Sequence, residues 1–474
     1  MQPSEFKTLL LNQFPFQPTD SQKKWMEEMT QFLFFGASQD IFVLKGYAGT
    51  GKSTLIGHLV QLLPKINYRS VLMAPTGRAA KVMGGYARRK AYTIHKQIYY
   101  TKSEGGSGMQ FTLKANKSKN TLFIVDEASM IGDDRQNTKL FENGSLLGDL
   151  MQYVDAGTNC KLLLVGDPAQ LPPVHLSQSP ALDEDYLTST FNKLPWEITL
   201  KEVVRQDEDS AILVNATQLR NDMQADTGMN FQFSNYFGPD LQRLQDGHEI
   251  LEALEDALDN DGLEETVFIV RSNKRANLYN QQIRQRILHL ETELSVGDQL
   301  MVVKNNYFWL APESSPGFIA NGDLVQVLRI IHRKSIYGFD FAKVEVSMVD
   351  YPDQPSFETV LLLDTLSSET PSLSYEENNR LYQAVQEDYQ HLTSKYKRFL
   401  AIKNDPYFNA LQVKYSYAIT CHKSQGGQWE KVFIEQPYLP DGPSLDYYRW
   451  LYTAMTRAKK TLYLVGFSKD YFET

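Results

Sequence analysis

The sequence predicts an α/β protein with two parallel sheets, and two observations support this fold class. Short apolar runs end abruptly in polar or glycine-containing turns, as buried strands of parallel sheets do. The runs fall into two groups, comprising residues 41–44, 71–74, 122–125 and 162–165, then 267–270, 417–419, 432–434 and 462–465. Ligands bind beyond the carboxyl ends of such strands, so the residues that follow each run are candidates for chemistry.

Length and composition narrow the class further. With 474 residues, 42% of them hydrophobic and 22% charged, the chain is expected to be globular with several domains, not fibrous or disordered. Its two cysteines cannot form a disulfide framework, and no apolar run is long enough to span a bilayer, so we expect a cytoplasmic protein without membrane association. The net charge of −9 argues against a generally basic nucleic-acid coat but leaves a local basic groove open.

Two stretches interrupt the α/β rhythm. Residues 97–118 have two strand-like arms around a glycine-rich turn at 104–108, which predicts a β-hairpin. Residues 297–410 contain several short strand-like pieces and a helix-like stretch at 375–400, which predicts a small β-barrel-like insertion with a helix. The predicted domains are therefore a first α/β domain (1–96 and 119–190), the hairpin (97–118), a second α/β domain (191–296 and 411–474) and the insertion (297–410).

A glycine-rich segment follows the first strand. Residues 46–53, GYAGTGKS, match GxxxxGK[ST] and precede a helical stretch; we call them the phosphate loop. The pattern needs glycines so that backbone amides can surround phosphate oxygens, a lysine that reaches the β- and γ-phosphates, and a hydroxyl for Mg²⁺. A structural glycine turn is the alternative. The loop predicts an ATP and magnesium site that involves Gly46, Ala48, Gly49, Thr50, Gly51, Lys52, Ser53 and Thr54.

Polar side chains follow the next strands of the first group. Asp126 and Glu127 come directly after residues 122–125, where Asp126 is expected to contact Mg²⁺ and Glu127 to polarise the attacking water. Gln170 follows the strand 162–165 and is the candidate contact for the γ-phosphate. An acidic surface loop and a proline-rigidified turn are the respective alternatives, and the phosphate loop upstream favours the nucleotide interpretation.

These motifs, in this order, resemble the superfamily 1 helicases of the B branch, which include RecD-like, Dda-like and Pif enzymes. Gln22 resembles the adenine-reading Q motif, residues 74–80 motif Ia and residues 93–95 motif Ib. Residues 200–206 resemble motif IV, 417–426 motif V and 451–458 motif VI. One departure concerns residues 427–430, GQWE, where the family commonly has an acidic residue soon after the motif V glycine.

The resemblance implies roles for further residues. By this resemblance, the two α/β domains correspond to RecA-like lobes and the hairpin corresponds to the family's 1B pin. The insertion corresponds to the SH3-like 2B domain. ATP would lie between the lobes, with Gly426 at the nucleotide and with Arg205 and Arg457 facing its γ-phosphate. The implied function is an ATP-dependent, monomeric DNA helicase that moves 5′-to-3′ on single-stranded DNA in replication, repair or recombination. A nucleotide-gated DNA-binding module without unwinding is the alternative, and a small-molecule kinase is disfavoured.

The same resemblance predicts a path for single-stranded DNA, which we call the strand track. Neutral donors and a few cations suit sequence-independent phosphate binding and agree with the acidic composition. Its predicted members are Pro75, Thr76, Lys81, Thr93, His95, Thr420, His422, Lys423 and Ser424. Both histidines could instead be ordinary structural residues. The hairpin aromatics Tyr99, Tyr100 and Phe111 either stack on the first base pair of a duplex junction or pack against their own domain.

Overall fold

The computed structural model describes residues 1–103, 109–133, 144–174, 176–204, 210–225, 231–234, 238–311, 314 and 316–472. It confirms the α/β class, with two parallel sheets, a β-hairpin and a closed β-barrel. Among the described residues, no helix combines the length and apolarity needed to cross a bilayer.

The first lobe is built on a six-stranded parallel sheet of order β3-β2-β6-β7-β1-β8. Its strands, with the two of the hairpin, are β1 (Asp40–Gly46), β2 (Arg69–Ala74), β3 (Ala91–Thr93), β4 (Tyr99–Ser103), β5 (Met109–Leu113), β6 (Lys119–Val125), β7 (Thr158–Gly166) and β8 (Leu194–Leu200). Its helices are α1 (Pro3–Asn12), α2 (Asp20–Phe35), α3 (Lys52–Leu62), α4 (Gly77–Ala87), α5 (Ile94–Ile98), α6 (Leu146–Asp155) and α7 (Glu184–Phe191). Apolar residues of α1–α4 pack on one face of the sheet and those of α5–α7 on the other.

Strand β8 corrects the expected end of the first domain at residue 190. It pairs in parallel with β1 from Leu194 to Leu200, so the first sheet extends to residue 200. Its sequence, LPWEITL, alternates polar and apolar residues because it is an edge strand, and it therefore lacks the continuous apolar run of the central strands. In the hairpin, β4 and β5 are antiparallel, and the turn residues 104–108 lie outside the described residues.

The second lobe and the barrel share the rest of the chain. The remaining strands are β9 (Leu241–Leu244), β10 (Thr266–Val270), β11 (Gln299–Val302), β12 (Leu324–Ile336), β13 (Phe339–Met348), β14 (Phe357–Leu362), β15 (Leu411–Tyr415), β16 (Ala418–Thr420), β17 (Trp429–Glu435) and β18 (Ala458–Val465). The remaining helices are α8 (Ala211–Gln224), α9 (Gly247–Asp261), α10 (Asn273–Gln282), α11 (Asp364–Ser367), α12 (Tyr375–Asp388), α13 (Lys395–Lys403), α14 (Cys421–Ser424) and α15 (Leu445–Met455). The second sheet is parallel, with the order β16-β10-β17-β18-β9.

Strands β11–β15 close the barrel. Neighbouring strands are antiparallel except for β14 and β15, which are parallel. Because β15 pairs with β11, the barrel continues to Tyr415 and past the expected limit at 410. The single helix expected at 375–400 is two helices, since residues 389–394 form turns and irregular chain before the Ser394 hydroxyl caps α13.

A buried ion pair joins the barrel to the second lobe. Arg284 donates from Nε and Nη2 to the two carboxylate oxygens of Asp298, both at 2.8 Å. The Tyr417 hydroxyl donates to the same carboxylate at 2.9 Å and accepts the backbone N–H of Gln299 at 3.2 Å. Both charged side chains are almost fully buried. Such bidentate, hydrogen-bonded pairs hold a fixed geometry, so the barrel has a rigid base.

Candidate nucleotide cleft and strand track

A cavity of about 860 Å³ lies between the two lobes, and we call it the interlobe cleft. The first lobe contributes most of the phosphate loop and the ends of β6 and β7. The second lobe contributes the loops after α14 and α15. The predicted site residues that line it are Gln22, Ala48, Gly49, Thr50, Gly51, Lys52, Ser53, Thr54, Asp126, Glu127, Gln170, Gly426 and Arg457. Gly46 lies just outside it, as the last residue of β1.

The phosphate loop depends on its glycines. Gly49 and Gly51 have φ angles of 77° and 83°, in the left-handed region that other residues rarely adopt. A Cβ on Gly51 would also lie 2.8 Å from Nε2 of Gln22. Lys52 is the first residue of α3, and its Nζ donates to the carbonyl oxygens of Gly46 and Tyr47 at 2.6 and 2.9 Å. The loop therefore presents a lysine and a helix N-terminus to the cleft.

Gln22 supports the phosphate loop from behind. It lies in the first turn of α2, where its Oε1 accepts the Thr19 N–H at 3.1 Å in a capping box. Its Nε2 donates to the carbonyl of Thr50 at 3.1 Å, and the side chain is 2% exposed. Both ends of the amide thus hold the loop onto the N-terminus of α2.

Asp126 and Glu127 project from the end of β6. One Asp126 oxygen accepts the Glu127 N–H at 2.9 Å, and the other accepts the Tyr86 hydroxyl at 2.6 Å. Glu127 has a φ of 53°, a strained conformation for a residue with a side chain. Burial raises the pKa of Glu127, while the positive charge of Arg457, with Nη1 at 3.9 Å from Oε1, opposes that rise. Tyr86 is a partner that the sequence did not indicate.

The loop after β7 is held by Asp167. Its carboxylate accepts the Ala169 N–H at 2.9 Å, and its carbonyl accepts the Gln170 N–H at 3.3 Å. This turn directs Gln170 toward the cleft. Within the part of the chain that the structure describes, Oε1 of Gln170 is buried and has no hydrogen-bond partner. A buried amide oxygen of this kind is an available acceptor for a ligand or water.

Arg457 reaches the cleft from the second lobe. Its guanidinium is 3% exposed and donates to the carbonyl oxygens of Thr453, at 2.9 Å, and Gly427, at 3.3 Å. The other predicted arginine, Arg205, lies outside the described residues. The residue before it, Val204, donates its N–H to the Gly49 carbonyl at 2.9 Å, so this segment contacts the phosphate loop.

Helix α15 makes hydrogen bonds across the cleft that the sequence did not indicate. The Tyr452 hydroxyl donates to the Asp167 carboxylate at 2.8 Å and accepts the N–H of Ala48 at 3.0 Å. The Thr453 hydroxyl accepts the N–H of Leu171 at 2.8 Å. Both residues are buried.

The oxygen donors of the cleft fit a magnesium ion. The Ser53 side chain is exposed in the cleft, and Asp126 lies at its wall. Hydroxyl and carboxylate oxygens are the ligands that Mg²⁺ takes from proteins, together with phosphate oxygens of a nucleotide. These two residues would hold the ion.

Part of the strand track lies in the interior. Thr93 is 5% exposed and its hydroxyl caps α5; Ser424 is fully buried and donates to the Cys421 carbonyl. Tyr99 is 4% exposed and donates to Asp149 at 2.6 Å. In each case the polar group of the side chain forms a hydrogen bond with a neighbouring residue or with a residue of the core. Tyr99 thus follows the alternative in which the hairpin packs against its own domain.

Other members of the track are accessible to different extents. Tyr100 is 58% exposed, His422 is exposed, Thr420 and Lys423 are half-buried, and the Phe111 side chain lies outside the described part of the structure. Burial lowers the pKa of His95 to about 4, so this ring is neutral at physiological pH. Burial, together with the charge of Lys414, lowers the pKa of Lys423 to about 8.

The lobes approach closely where motifs Ia and V meet. Pro75 is half-buried, and the hydroxyl of Thr76 caps α4 by accepting the Ala79 N–H at 3.2 Å. A Cβ on Gly426 would lie 2.7 Å from the Cβ of Ala79, and Gly426 has a φ of 73°. Glycine at position 426 is therefore required for this contact. Residues 427–430 are the segment that departs from the family pattern. Within it, Gln428 lines the cleft, whereas Glu430 forms ion pairs with Lys459 and Lys460.

The barrel covers one end of the strand track. Lys81 donates to the Val349 carbonyl at 3.2 Å and lies 3.7 Å from the Asp350 carboxylate. Asp323 lies against the N-terminus of α4, where a Cβ on Gly77 would be 2.4 Å from its Oδ1. Burial raises the pKa of Asp323 to about 8. Among the described residues, Oδ1 of Asp323 and Oδ2 of Asp350 have no hydrogen-bond partner.

These features define a class. Two parallel α/β lobes face one cleft, one lobe bearing a complete phosphate loop with its acidic pair and the other a buried arginine. The chain is a two-lobed P-loop NTPase.

Comparison with known proteins identifies the family. Residues 18–234 match the AAA domain family, and residues 415–465 match the UvrD-like helicase C-terminal domain. The chain is 23% identical to the ATP-dependent DNA helicase Dda of Enterobacteria phage T4, over 89% of this chain and 93% of that protein. It is 34% identical to the ATP-dependent RecD2 DNA helicase of Deinococcus radiodurans, over 33% of this chain and 19% of that protein. A crystal structure of Pif1 helicase from Bacteroides with ADP-AlF3 and single-stranded DNA aligns over 96% of this chain and 94% of that one, with 16% identity and a TM-score of 0.49.

The chain belongs to the RecD- and Dda-like branch of the superfamily 1B helicases. Enzymes of this class are ATP-hydrolysing DNA helicases, and the phosphate loop, the acidic pair and the C-terminal helicase domain are all present here.

Proposed function

We propose that this helicase hydrolyses ATP in the interlobe cleft and uses the cycle to move 5′-to-3′ along single-stranded DNA. The observation that carries the hydrolysis is that Lys52 and Glu127 of the first lobe face the same cavity as Arg457 of the second. A complete set of catalytic charges then exists only when the lobes are together. Opening and closing of the cleft are thereby tied to the state of the nucleotide. The polarity rests on the resemblance to superfamily 1B helicases.

Each residue has a distinct part in hydrolysis. Lys52 and Arg457 compensate the charge that develops on the γ-phosphoryl oxygens, with Arg205 as a second arginine from the same lobe. Glu127 polarises the attacking water, and its raised pKa makes it a stronger base than an exposed carboxylate. Gln170 offers its unpartnered Oε1 to that water. Asp126 and Ser53 would hold Mg²⁺, which would supply positive charge to the bound nucleotide.

DNA binding uses both lobes. Thr76 of the first lobe and Thr420, His422 and Lys423 of the second are polar groups near the surfaces of the two lobes, and such groups bind phosphates without regard to sequence. If each lobe grips the strand in turn, alternate closure and opening moves the protein along it. Tyr100, exposed on the hairpin, is the aromatic group that meets a single-strand/double-strand junction. We propose that one copy of the chain suffices for this cycle.

Forked duplexes with either a 5′ or a 3′ single-stranded tail test the proposal. We expect ATP hydrolysis to rise when single-stranded DNA is added, and strand separation only from the 5′-tailed substrate. Unwinding from the 3′ tail would contradict the polarity. ATPase stimulation without unwinding from either tail would instead favour a nucleotide-gated module that binds or remodels DNA.

A further inference from the structure

Tyr452 connects three parts of the interlobe cleft through one hydroxyl group. It belongs to α15 of the second lobe and is 1% exposed, yet both of its hydrogen bonds cross to the first lobe. The hydroxyl accepts from Ala48 in the phosphate loop and donates to Asp167 in the loop that carries Gln170. One side chain therefore spans from the second lobe to both nucleotide-facing loops of the first.

The direction of these hydrogen bonds is fixed. The Ala48 partner is a backbone N–H and can only donate, so the phenol oxygen must accept from it. The Asp167 partner is a carboxylate and accepts. Burial and the negative charge of Asp167 both raise the pKa of Tyr452 well above its usual value, so the phenol keeps its proton.

The same turn of α15 holds Arg457. The carbonyl of Thr453, the residue after Tyr452, accepts from Nε of Arg457 at 2.9 Å. The Thr453 hydroxyl accepts from Leu171, and the Leu171 carbonyl accepts from Nε2 of Gln425 at 2.8 Å. The helical turn that is anchored to the first lobe is thus the turn to which the guanidinium is bonded.

We propose that Tyr452 is a positioning residue that sets Arg457 against the phosphate loop when the two lobes meet. The proposal rests on the proposed function, because it assigns Arg457 to the γ-phosphate. Tyr452 is not among the residues that line the interlobe cleft, so it acts by fixing the distance between the helix before Arg457 and the phosphate loop. Misplacement of a catalytic group by about 1 Å can lower a rate by as much as a hundredfold.

Tyr452→Phe tests this role because it keeps the ring and removes only the hydroxyl. Tyr448→Phe is the matched control: Tyr448 lies on the same helix, is equally buried, and its hydroxyl accepts the Phe231 N–H at 3.0 Å within the second lobe. We expect Tyr452→Phe to lower kcat for ssDNA-stimulated ATP hydrolysis about tenfold or more. The KM for ATP should change less than about twofold, since an interaction made only on closure appears in kcat. Tyr448→Phe should leave both constants within about twofold of the parent.

A double-mutant cycle separates positioning from a structural contribution. If Tyr452 acts through Arg457, Tyr452→Phe should change the residual single-turnover rate of Arg457→Ala by less than about twofold. Equal losses in both backgrounds would overturn the proposal, as would an unchanged kcat or a loss confined to KM. Should Tyr452→Phe not fold, Thr453→Val removes the neighbouring bond to Leu171 and must show the same dependence on Arg457. Failure of the proposed function looks different, since the parent protein itself would then lack ssDNA-stimulated hydrolysis.

Discussion

The interlobe cleft and the strand track differ in how their residues are placed. Every described residue predicted for catalysis, from Lys52 to Arg457, lines the same cavity. In the strand track, Thr93, Tyr99 and Ser424 are buried and bonded to protein groups, and Lys81 contacts the barrel. The predicted catalytic residues therefore share one cavity, whereas the track is partly interior and partly covered by the barrel.

The difference has a physical cause. The carboxyl ends of parallel strands position residues of both sets, for example Asp126 after β6 and Thr93 at the end of β3, so the difference lies in the side chains. Track residues are threonines, serines and tyrosines with competing local uses: Thr93 caps a helix, and Tyr99 completes a core with its hydroxyl satisfied. A short polar side chain is therefore a weaker indicator of ligand binding than a lysine in a glycine-rich loop.

The largest effect is expected at the phosphate loop. Lys52→Ala should abolish ATP hydrolysis, a loss on the order of a thousandfold or more, because no other first-lobe cation is placed to compensate the γ-phosphoryl charge among the residues described for the cleft. Lys65→Ala, at an exposed lysine of the same lobe, is the control. Steady-state ATPase assays measure both, and substantial hydrolysis by Lys52→Ala would exclude the cleft as the site.

A smaller loss is expected at the candidate base. Glu127→Gln should retain ATP and DNA binding and lose turnover on the order of a hundredfold. In the parent protein, kcat should fall as the pH is lowered through the pKa of Glu127, at a pH above the usual carboxyl value of about 4.3, because burial raises that pKa and the base must be ionised. Measuring kcat as a function of pH tests this decrease. Loss of ATP binding in Glu127→Gln would contradict its assignment as the base.

At the hairpin, the comparison turns on two adjacent tyrosines. Tyr100→Ala should lower unwinding about tenfold, with unchanged melting temperature and ssDNA-stimulated ATPase, since stacking on a base contributes about 1–3 kcal/mol. Tyr99→Ala should instead lower the melting temperature, because it removes a buried ring and its bond to Asp149. If Tyr100→Ala unwinds DNA as well as the parent protein does, the hairpin does not contribute to strand separation through this side chain.

The smallest effect concerns the covered end of the track. Asp350→Asn should tighten binding of a single-stranded oligonucleotide about threefold, since it releases Lys81 and removes a negative charge near the phosphates. Fluorescence anisotropy at fixed salt measures this. Asp353→Asn removes the same charge from an exposed position on the barrel and should have less effect. Identical affinities for the two variants would show that net charge alone is responsible.

Sequence patterns indicate residues that share the cleft because each of these patterns is local in the chain. A lysine in GxxxxGK[ST], or an acidic residue directly after an apolar run, can be recognised from a few neighbouring residues. The support that Gln22 gives to Thr50, the Tyr86 bond to Asp126 and the bridge made by Tyr452 join segments far apart in the chain, and no spacing rule indicates them. Strand β8 was missed because its apolar residues alternate with polar ones.

The buried Arg284–Asp298 pair has a mechanical consequence. Because the pair joins the barrel to the second lobe, we expect these two units to move as one body, and this body contacts the first lobe at two separate places. The second lobe places Tyr452 and Arg457 at the phosphate loop, and the barrel places Asp323 and Asp350 at α4. A rotation that widens the nucleotide cleft is therefore expected to shift Asp323 and Asp350 relative to α4 as well. If the proposed strand track binds DNA, ATP turnover and the exposure of Lys81 would be coupled through this movement.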